Sequence, residues 1–232
     1  LAGALFQGVA RNPLASPDLL GGTAGASVGA VAAITVAQAG GPAVAGAAAA
    51  GALAAAVVVQ ALAGRHSSPT RFILLGLGAH AVLSAIVQLL LIRGAVEDAG
   101  RATVWLVGSV NGATGTQVQL IGCALIVLVP LALALDRSLD VLELGDDLAR
   151  TLGVAVARRR VALVAVGVLL AAAAVATAGP VAFVALAAPQ AARALCRSTR
   201  PPLATSALAG ATLTVAADLV GRRVAAPIEL PV

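Results

Sequence analysis

Seven runs of apolar residues, each near the length of a membrane-crossing helix, decide what this sequence can fold into. They fall at about 21–39, 43–63, 72–92, 118–135, 161–178, 180–195 and 203–220, behind a shorter stretch at 2–10 that reads as the tail of another helix. A bilayer core about 30 Å thick takes about 20 residues of α-helix. Inside lipid only helices and closed barrels satisfy their own backbone hydrogen bonds. Proline and glycine punctuate the joints, at Asn12-Pro13, Gly40-Gly41-Pro42, Ser67-Ser68-Pro69, Gly179-Pro180 and Pro201-Pro202. The run at 180–195 is short and contains Pro189, so it is expected to kink or to stop short of crossing. The fold class is therefore all-α: an integral membrane protein built as a polytopic helical bundle, with residues 1–232 as a single transmembrane domain.

Composition closes off the soluble alternatives. Of 232 residues, 60% are hydrophobic and 11% charged, too few charges to coat a water-facing body of this length. Aromatic residues make up 2%, which leaves Ala, Val, Leu and Gly to form the helix contacts. Gly25 and Gly29 form a small-xxx-small pair that reads as a helix-packing surface. No lysine occurs, so the chain has neither the lysine of a nucleotide-binding P-loop nor one for Schiff-base chemistry, and any ATP must be hydrolysed by another subunit. Cys123, in an apolar run, and Cys196, in an arginine-rich loop, suggest neither a disulfide nor a metal site, and no cofactor is expected.

The net charge of +5 comes from arginines at the ends of apolar runs, which is a topological pattern and gives no reason to expect a nucleic-acid partner. Placed on alternate loops, Arg11, Arg65, Arg71, Arg137, Arg150, Arg158, Arg159, Arg160, Arg193, Arg197 and Arg200 share one side. Arg93, Arg101, Arg222 and Arg223 share the other. The positive-inside rule assigns the first set to the cytoplasm. Segments 11–18, 64–71, 136–160 and 196–202 are then internal, while 40–42, 93–117 and 221–232 face outward. The outer segment 93–117 is too interrupted to span and is expected to form a small external helix or re-entrant piece around Trp105.

The most polar internal stretch, 136–153, carries five acids among Leu139, Leu142, Leu144, Leu148 and Leu152. It reads as one or two short amphipathic helices punctuated by Gly145 and Gly153, with Leu144, Leu148 and Leu152 at every fourth position of one face. An apolar stripe facing cytoplasm points to a docking surface for a partner. Four other polar groups lie in or beside apolar runs. Asp218 is expensive there unless paired or set against a cavity. His80 reads more readily as a satisfied core histidine than as a pathway group. Asp18 is placed to cap the helix that follows it, and His66 to be solvated.

Several ordered blocks together resemble one family. They are Gly3-Ala4-Leu5-Phe6-Gln7-Gly8 with Arg11-Asn12-Pro13-Leu14-Ala15-Ser16-Pro17-Asp18, then Trp105-Leu106-Val107-Gly108-Ser109, then Leu144-Gly145-Asp146-Asp147-Leu148-Ala149-Arg150-Thr151-Leu152-Gly153. Gly179-Pro180-Val181-Ala182-Phe183-Val184, Ala217-Asp218-Leu219 and Pro227-Ile228-Glu229-Leu230-Pro231-Val232 follow. Across essentially the whole chain these blocks are similar to FecCD-type permeases, the membrane subunits of bacterial ABC importers for ferric siderophores, haem and vitamin B12.

The resemblance implies a type II importer bundle of the vitamin B12 kind, in which this chain supplies about eight of ten transmembrane helices, starting in the second and ending before the tenth. It implies a bacterial inner-membrane location amid lipid, a second permease subunit, two cytoplasmic ATPase subunits and an external substrate-binding protein. It also implies that the internal loop 136–160 inserts into a cleft of the ATPase. The coupling residues would then be Leu144, Gly145, Asp146, Asp147, Leu148, Ala149, Arg150, Leu152 and Gly153, with Asp146, Asp147 and Arg150 fixing register. Arg222, with Arg223 beside it, would dock the binding protein. The family usually carries a histidine where this chain has Gln190, which leaves a hydrogen-bonding role there and removes a protonation role. Cargo is expected to be a ferric siderophore, with cobalamin or haem as alternatives. An ion-coupled secondary transporter is the competing class, disfavoured because only Asp218 lies clearly within a span.

Overall fold

The computed structural model describes residues 1–17, 21–64, 69–110, 114–181 and 183–224. The cap expected at Asp18, the solvated His66 and the block at 227–232 lie outside the described residues. In chain order the helices are α1 (Ala2–Ala10), α2 (Gly22–Thr35), α3 (Gly41–Ala63), α4 (Pro69–Arg93), α5 (Val96–Val107), α6 (Gly115–Ala134), α7 (Asp136–Glu143), α8 (Asp146–Thr151), α9 (Val156–Ala178), α10 (Val184–Cys196) and α11 (Leu203–Val224). No strand occurs among the described residues.

All eight expected runs are helical, but not all are long enough to cross a bilayer. Five are long and apolar enough: α3, α4, α6, α9 and α11. The run at 21–39 yields a helix of 14 residues and the run at 180–195 one of 13 residues, both below the length a straight crossing needs. Local backbone explains each. Past Thr35 the chain leaves the helix and Gln38 takes a left-handed φ of 48° before Gly40. Ahead of α10, Phe183 sits at φ 66°, so the helix cannot start before Val184. The external piece expected around Trp105 is α5, with Glu97 and Asp98 in its first turn, where carboxylates complement the helix dipole.

Small residues set the spacing of the bundle. A Cβ on Gly25 would stand 2.5 Å from both the Gly51 carbonyl oxygen and the Ala55 methyl, and one on Gly29 would collide with the Ala47 carbonyl oxygen. Helices α2 and α3 thus meet backbone to backbone, the packing that the Gly25/Gly29 pair predicts. Two apolar clusters divide the length of α9. One gathers Leu5, Phe6, Leu139, Leu142, Leu163 and Leu203 from α1, α7, α9 and α11. The other gathers Val31, Ile34, Val44, Ala48 and Val175. Leu74, Val82, Ile126, Val127, Leu208 and Val215 are 61–75% exposed, an outward apolar surface that suits lipid and not water.

The two ends of the bundle separate as the arginine distribution requires. At one end the Ser109 N–H donates to the Ala178 carbonyl at 2.7 Å and Gln117 Nε2 donates to the Thr177 carbonyl at 3.4 Å. Gly94 lies against the Thr35 side chain there as well. At the other end Arg11 and Arg200 form ion pairs with acids of the 136–153 segment. Loops 11–17, 136–153 and 197–202 therefore share one end, the one counted as cytoplasmic, and 93–110 and 114–117 share the opposite end with the α9–α10 turn.

Candidate functional site

The polar internal stretch folds into two short helices joined at Gly145, whose φ of 110° is open only to glycine without strain. Helix α7 turns Leu139 and Leu142 inward, to 1% and 2% exposure. Leu139 fills a notch at Gly8 of α1, where an added Cβ would stand 2.9 Å from its Cδ2. Helix α8 buries Ala149 completely. Leu144, Leu148 and Leu152 stay 59%, 56% and 62% exposed. The stripe is therefore not one helix face: Leu144 closes α7, Leu148 lies within α8 and Leu152 closes α8. The glycine break divides it, yet all three leucines remain uncovered.

The charges divide differently from the expectation. Asp146 is not presented outward as a register charge. It is held by Arg160 Nη2 at 2.9 and 3.1 Å, by Arg11 and, more distantly, by Arg150 at 3.9 Å. Burial by itself would raise the Asp146 carboxyl, but the hydrogen bond and charge of Arg160 and the charge of Arg11 outweigh it and hold the group below the usual carboxylate range. Asp147 is the outward acid, its side chain 98% exposed and paired with Arg150 at 2.8 Å on the next turn. Arg150 and Asp147 remain exposed to solvent. Asp146 anchors α8 to its own subunit.

A second anchor holds α7. Arg200, in the turn between α10 and α11, bonds Asp136 at 2.5 Å and Asp140 at 2.7 Å. Burial tends to lower the Arg200 guanidinium, but the hydrogen bond to Asp136 and the charges of Asp136, Asp140 and Glu143 raise it above the ordinary arginine value. Arg11, Arg160, Arg200, Asp136 and Asp140 were not legible as partners from the sequence. Their separations, up to 135 residues, leave no local pattern, although the match of internal arginines to five internal acids is the available signal.

The remaining candidates lie elsewhere. Gln190 Nε2 donates to Gln7 Oε1 at 2.7 Å and to the Pro13 carbonyl at 3.2 Å, while Gln7 Nε2 donates to the Leu186 carbonyl at 3.3 Å. Gln190 thus has the hydrogen-bonding role left to it, tying α10 to α1 and the turn after it. The Nδ1 of His80 is buried without a hydrogen-bond partner among the described residues, so the histidine is not the satisfied core group expected. Asp218 pairs with Arg222 of its own helix at 2.9 Å, one turn on, in the favourable acid-before-base order and not with a neighbouring helix. Arg223 follows it, exposed, in the last turn of α11. Cys123 and Cys196 are free thiols, and no group of three His, Cys, Asp or Glu able to hold a metal occurs among the described residues. The cavity between α1, α2, α3 and α9 is walled mainly by apolar side chains such as Phe6, Val59, Val164 and Val175.

The arrangement is one of exposed leucines and ion pairs. It offers a leucine-studded protrusion tied by arginines to the inner end of a membrane bundle. Known proteins are similar to the chain as a whole. The ferric enterobactin transport system permease protein FepG of Escherichia coli (strain K12) is 39% identical over 100% of this chain and 71% of its own length. The Fe(3+) dicitrate transport system permease protein FecD of the same organism is 36% identical over 100% of this chain and 73% of its own. A solved metal-chelate type ABC transporter in an inward-facing conformation superposes with a TM-score of 0.91 at 26% identity, covering 99% of this chain and 75% of that one. The profile of the FecCD transport family matches residues 1–232 from end to end, and the chain belongs to that family.

Proposed function

We propose that this chain is the permease subunit of an ATP-driven importer that passes ferric siderophores from an external binding protein to the cytoplasm across a bacterial inner membrane. One permease domain, residues 1–232, pairs with a second permease subunit. Two cytoplasmic ATPase subunits dock on the 136–160 loop, and ATP is hydrolysed there and not on this chain. The observation that carries this reading is the exposed trio Leu144, Leu148 and Leu152 at the arginine-rich end of the bundle. Leucines at the lipid face have lipid to cover them; leucines on a segment whose own acids bind internal arginines have only a partner protein.

Asp147 and Arg150 set the register of docking, and Gly145 and Gly153 give the segment its two turns. ATP binding then shifts the population of inward- and outward-open forms, because an ATPase dimer that closes binds the two forms of the loop unequally. At the outer end Arg222 and Arg223 meet acidic residues of the binding protein, where exposed pairs contribute steering and register more than affinity. Two relatives are named for ferric enterobactin and Fe(3+) dicitrate, iron wrapped in an organic chelator, which supports ferric siderophores as cargo. An ion-coupled transporter gains nothing from the geometry, since Asp218 is neutralised by Arg222.

The test is uptake of labelled ferric siderophore, beside labelled cobalamin, by cells with and without the intact gene and with an ATPase-dead partner. Iron uptake lost in both deficient strains supports the reading. Uptake that survives loss of the ATPase refutes it.

A further inference from the structure

We propose that Arg11 and Arg200 are positioning residues that carry the displacement of α7 and α8 into two separate helix pairs, Arg11 into α1–α2 through Asp146 and Arg200 into α10–α11 through Asp136 and Asp140. This rests on the reading that an ATPase docks on the segment.

The geometry separates these two arginines from the third. Arg160 also binds Asp146, but it belongs to α9, which continues directly from α8, so its pair fastens the segment to its own continuation. Arg11 and Arg200 reach in from elsewhere, 135 and 64 residues away in sequence, each from the turn that joins two consecutive helices. Arg11 itself is the left-handed residue that ends α1, at φ 49°, and the Asn12 N–H closes the turn on the Gln7 carbonyl. A non-glycine residue in that conformation is disfavoured by its Cβ, so a side chain is kept where glycine would be easier. That side chain makes the bond to Asp146. Arg200 stands two residues ahead of Pro202, its guanidinium 15% exposed and shared between Asp136 and Asp140. One arginine thus grips α8 and the other α7, and each leads to a different helix pair.

Two features let the pairs move with the segment and not tear. Leu139 of α7 sits in the Gly8 notch of α1, so α7 and α1 shift together. A guanidinium on a long side chain keeps its bonds through rotamer changes that a backbone contact could not follow.

The bland alternative is that both arginines only stabilise the fold. Removing Arg11 separates the readings cleanly, because Asp146 keeps Arg160 as a partner and no acid is left buried and unpaired. The experiment reconstitutes the whole importer, with its ATPase and binding protein, and reads substrate carried per ATP hydrolysed, ATPase association and unfolding temperature. For Arg11→Gln the expected result is a fall in transport per ATP of about 2- to 30-fold, with association and unfolding temperature unchanged; for Arg200→Gln, which takes this partner from Asp136 and Asp140, it is a like fall with association unchanged and larger than any loss of unfolding temperature accounts for. Arg11→Lys and Arg200→Lys should recover most of the loss by restoring the charge. The double variant should lose more than either single one, since the two routes run to different helices. Unchanged transport per ATP in both glutamine variants overturns the proposal, and so does a loss that tracks the unfolding temperature or that lysine does not relieve. Leu148→Arg serves as the control for docking. If it leaves ATPase association intact, the docking reading fails; if it abolishes association while the glutamine variants transport normally, the positioning role alone fails.

Discussion

Truncation of the exposed leucines offers a direct measure of docking. Full burial of a leucine side chain is worth about 1.5–3 kcal/mol. Leu148 is 56% exposed in the free subunit, so a partner that covers it gains roughly that fraction, about 0.8–1.7 kcal/mol. Leu148→Ala should therefore weaken ATPase association about 4- to 18-fold. Leu144 and Leu152 are 59% and 62% exposed and contribute similarly. Alanine at all three positions should lose about 3–5 kcal/mol, a hundredfold or more, with the usual departure from additivity at one interface. The assay is binding of the purified ATPase subunits to the permease in lipid nanodiscs, with unfolding temperature as the check on the fold. Because the three side chains are largely solvent-exposed, the unfolding temperature should hold. A triple variant that binds the ATPase within about twofold of the parent would refute the assignment of this ridge.

Three further outcomes follow from particular contacts. Gly25→Ala places a methyl 2.5 Å from the Gly51 carbonyl oxygen, so α2 and α3 must part; overpacking of this kind costs about 1–3 kcal/mol, whereas Gly46→Ala on α3, with nothing within 4 Å, should be neutral or mildly stabilising, both read as unfolding temperature in nanodiscs. The Asp146 carboxyl is held below its unfolded value, so its stabilisation is complete above about pH 4 and is lost as pH falls through the lowered folded value. The unfolding-temperature gap between the parent and Asp146→Asn should accordingly be flat from about pH 5 to 8 and close in stronger acid; a gap that narrows between pH 8 and 6 would contradict this sign. Finally, Arg223→Glu should weaken docking of the binding protein about 2- to 5-fold at low salt and flatten its salt dependence, with no effect expected if that surface is not the docking site.

Residues with a local signature were read correctly from the sequence. Apolar runs marked the helices, because lipid leaves the backbone no other choice. The arginine tally put 11–18, 64–71, 136–160 and 196–202 on one side, and the ion pairs of Arg11 and Arg200 bring three of those segments together. The Gly25/Gly29 pair marked a packing surface, and the structure sets it against α3. What escaped was whatever depends on long-range partners or on single φ values. Nothing near Asp146 distinguishes it from Asp147, yet one is bound by three arginines and the other stands in solvent. Left-handed Gln38 and Phe183 shorten α2 and α10 without any glycine to signal it. Asp218 was expected to need a cavity or a partner on a neighbouring helix, and its partner is Arg222, one turn on in α11 itself.

The seam at the 93–110 end and the ties at the 136–153 end are different kinds of contact, and the difference suits the drive from an inner ATPase that we propose. Outside, Gly108 and Gly179 bring main chains together so closely that a Cβ on either would meet backbone atoms at 2.5–2.8 Å. The 2.7 Å bond from Ser109 to Ala178 adds to the same seam. Such contacts leave no slack, since close-packed backbone transmits strain and does not absorb it. Inside, the fastenings are arginine–carboxylate pairs, and their side chains can swing while the bonds persist. A body clamped at one end and joined through flexible ties at the other responds to an inner push by tilting its helices about the outer seam. A force applied at α7 and α8 therefore changes the width of the inner end most, where the ties allow it, and the outer end least. Reversing the materials, with glycine seams inside and ion pairs outside, would leave the ATPase pushing against the rigid end.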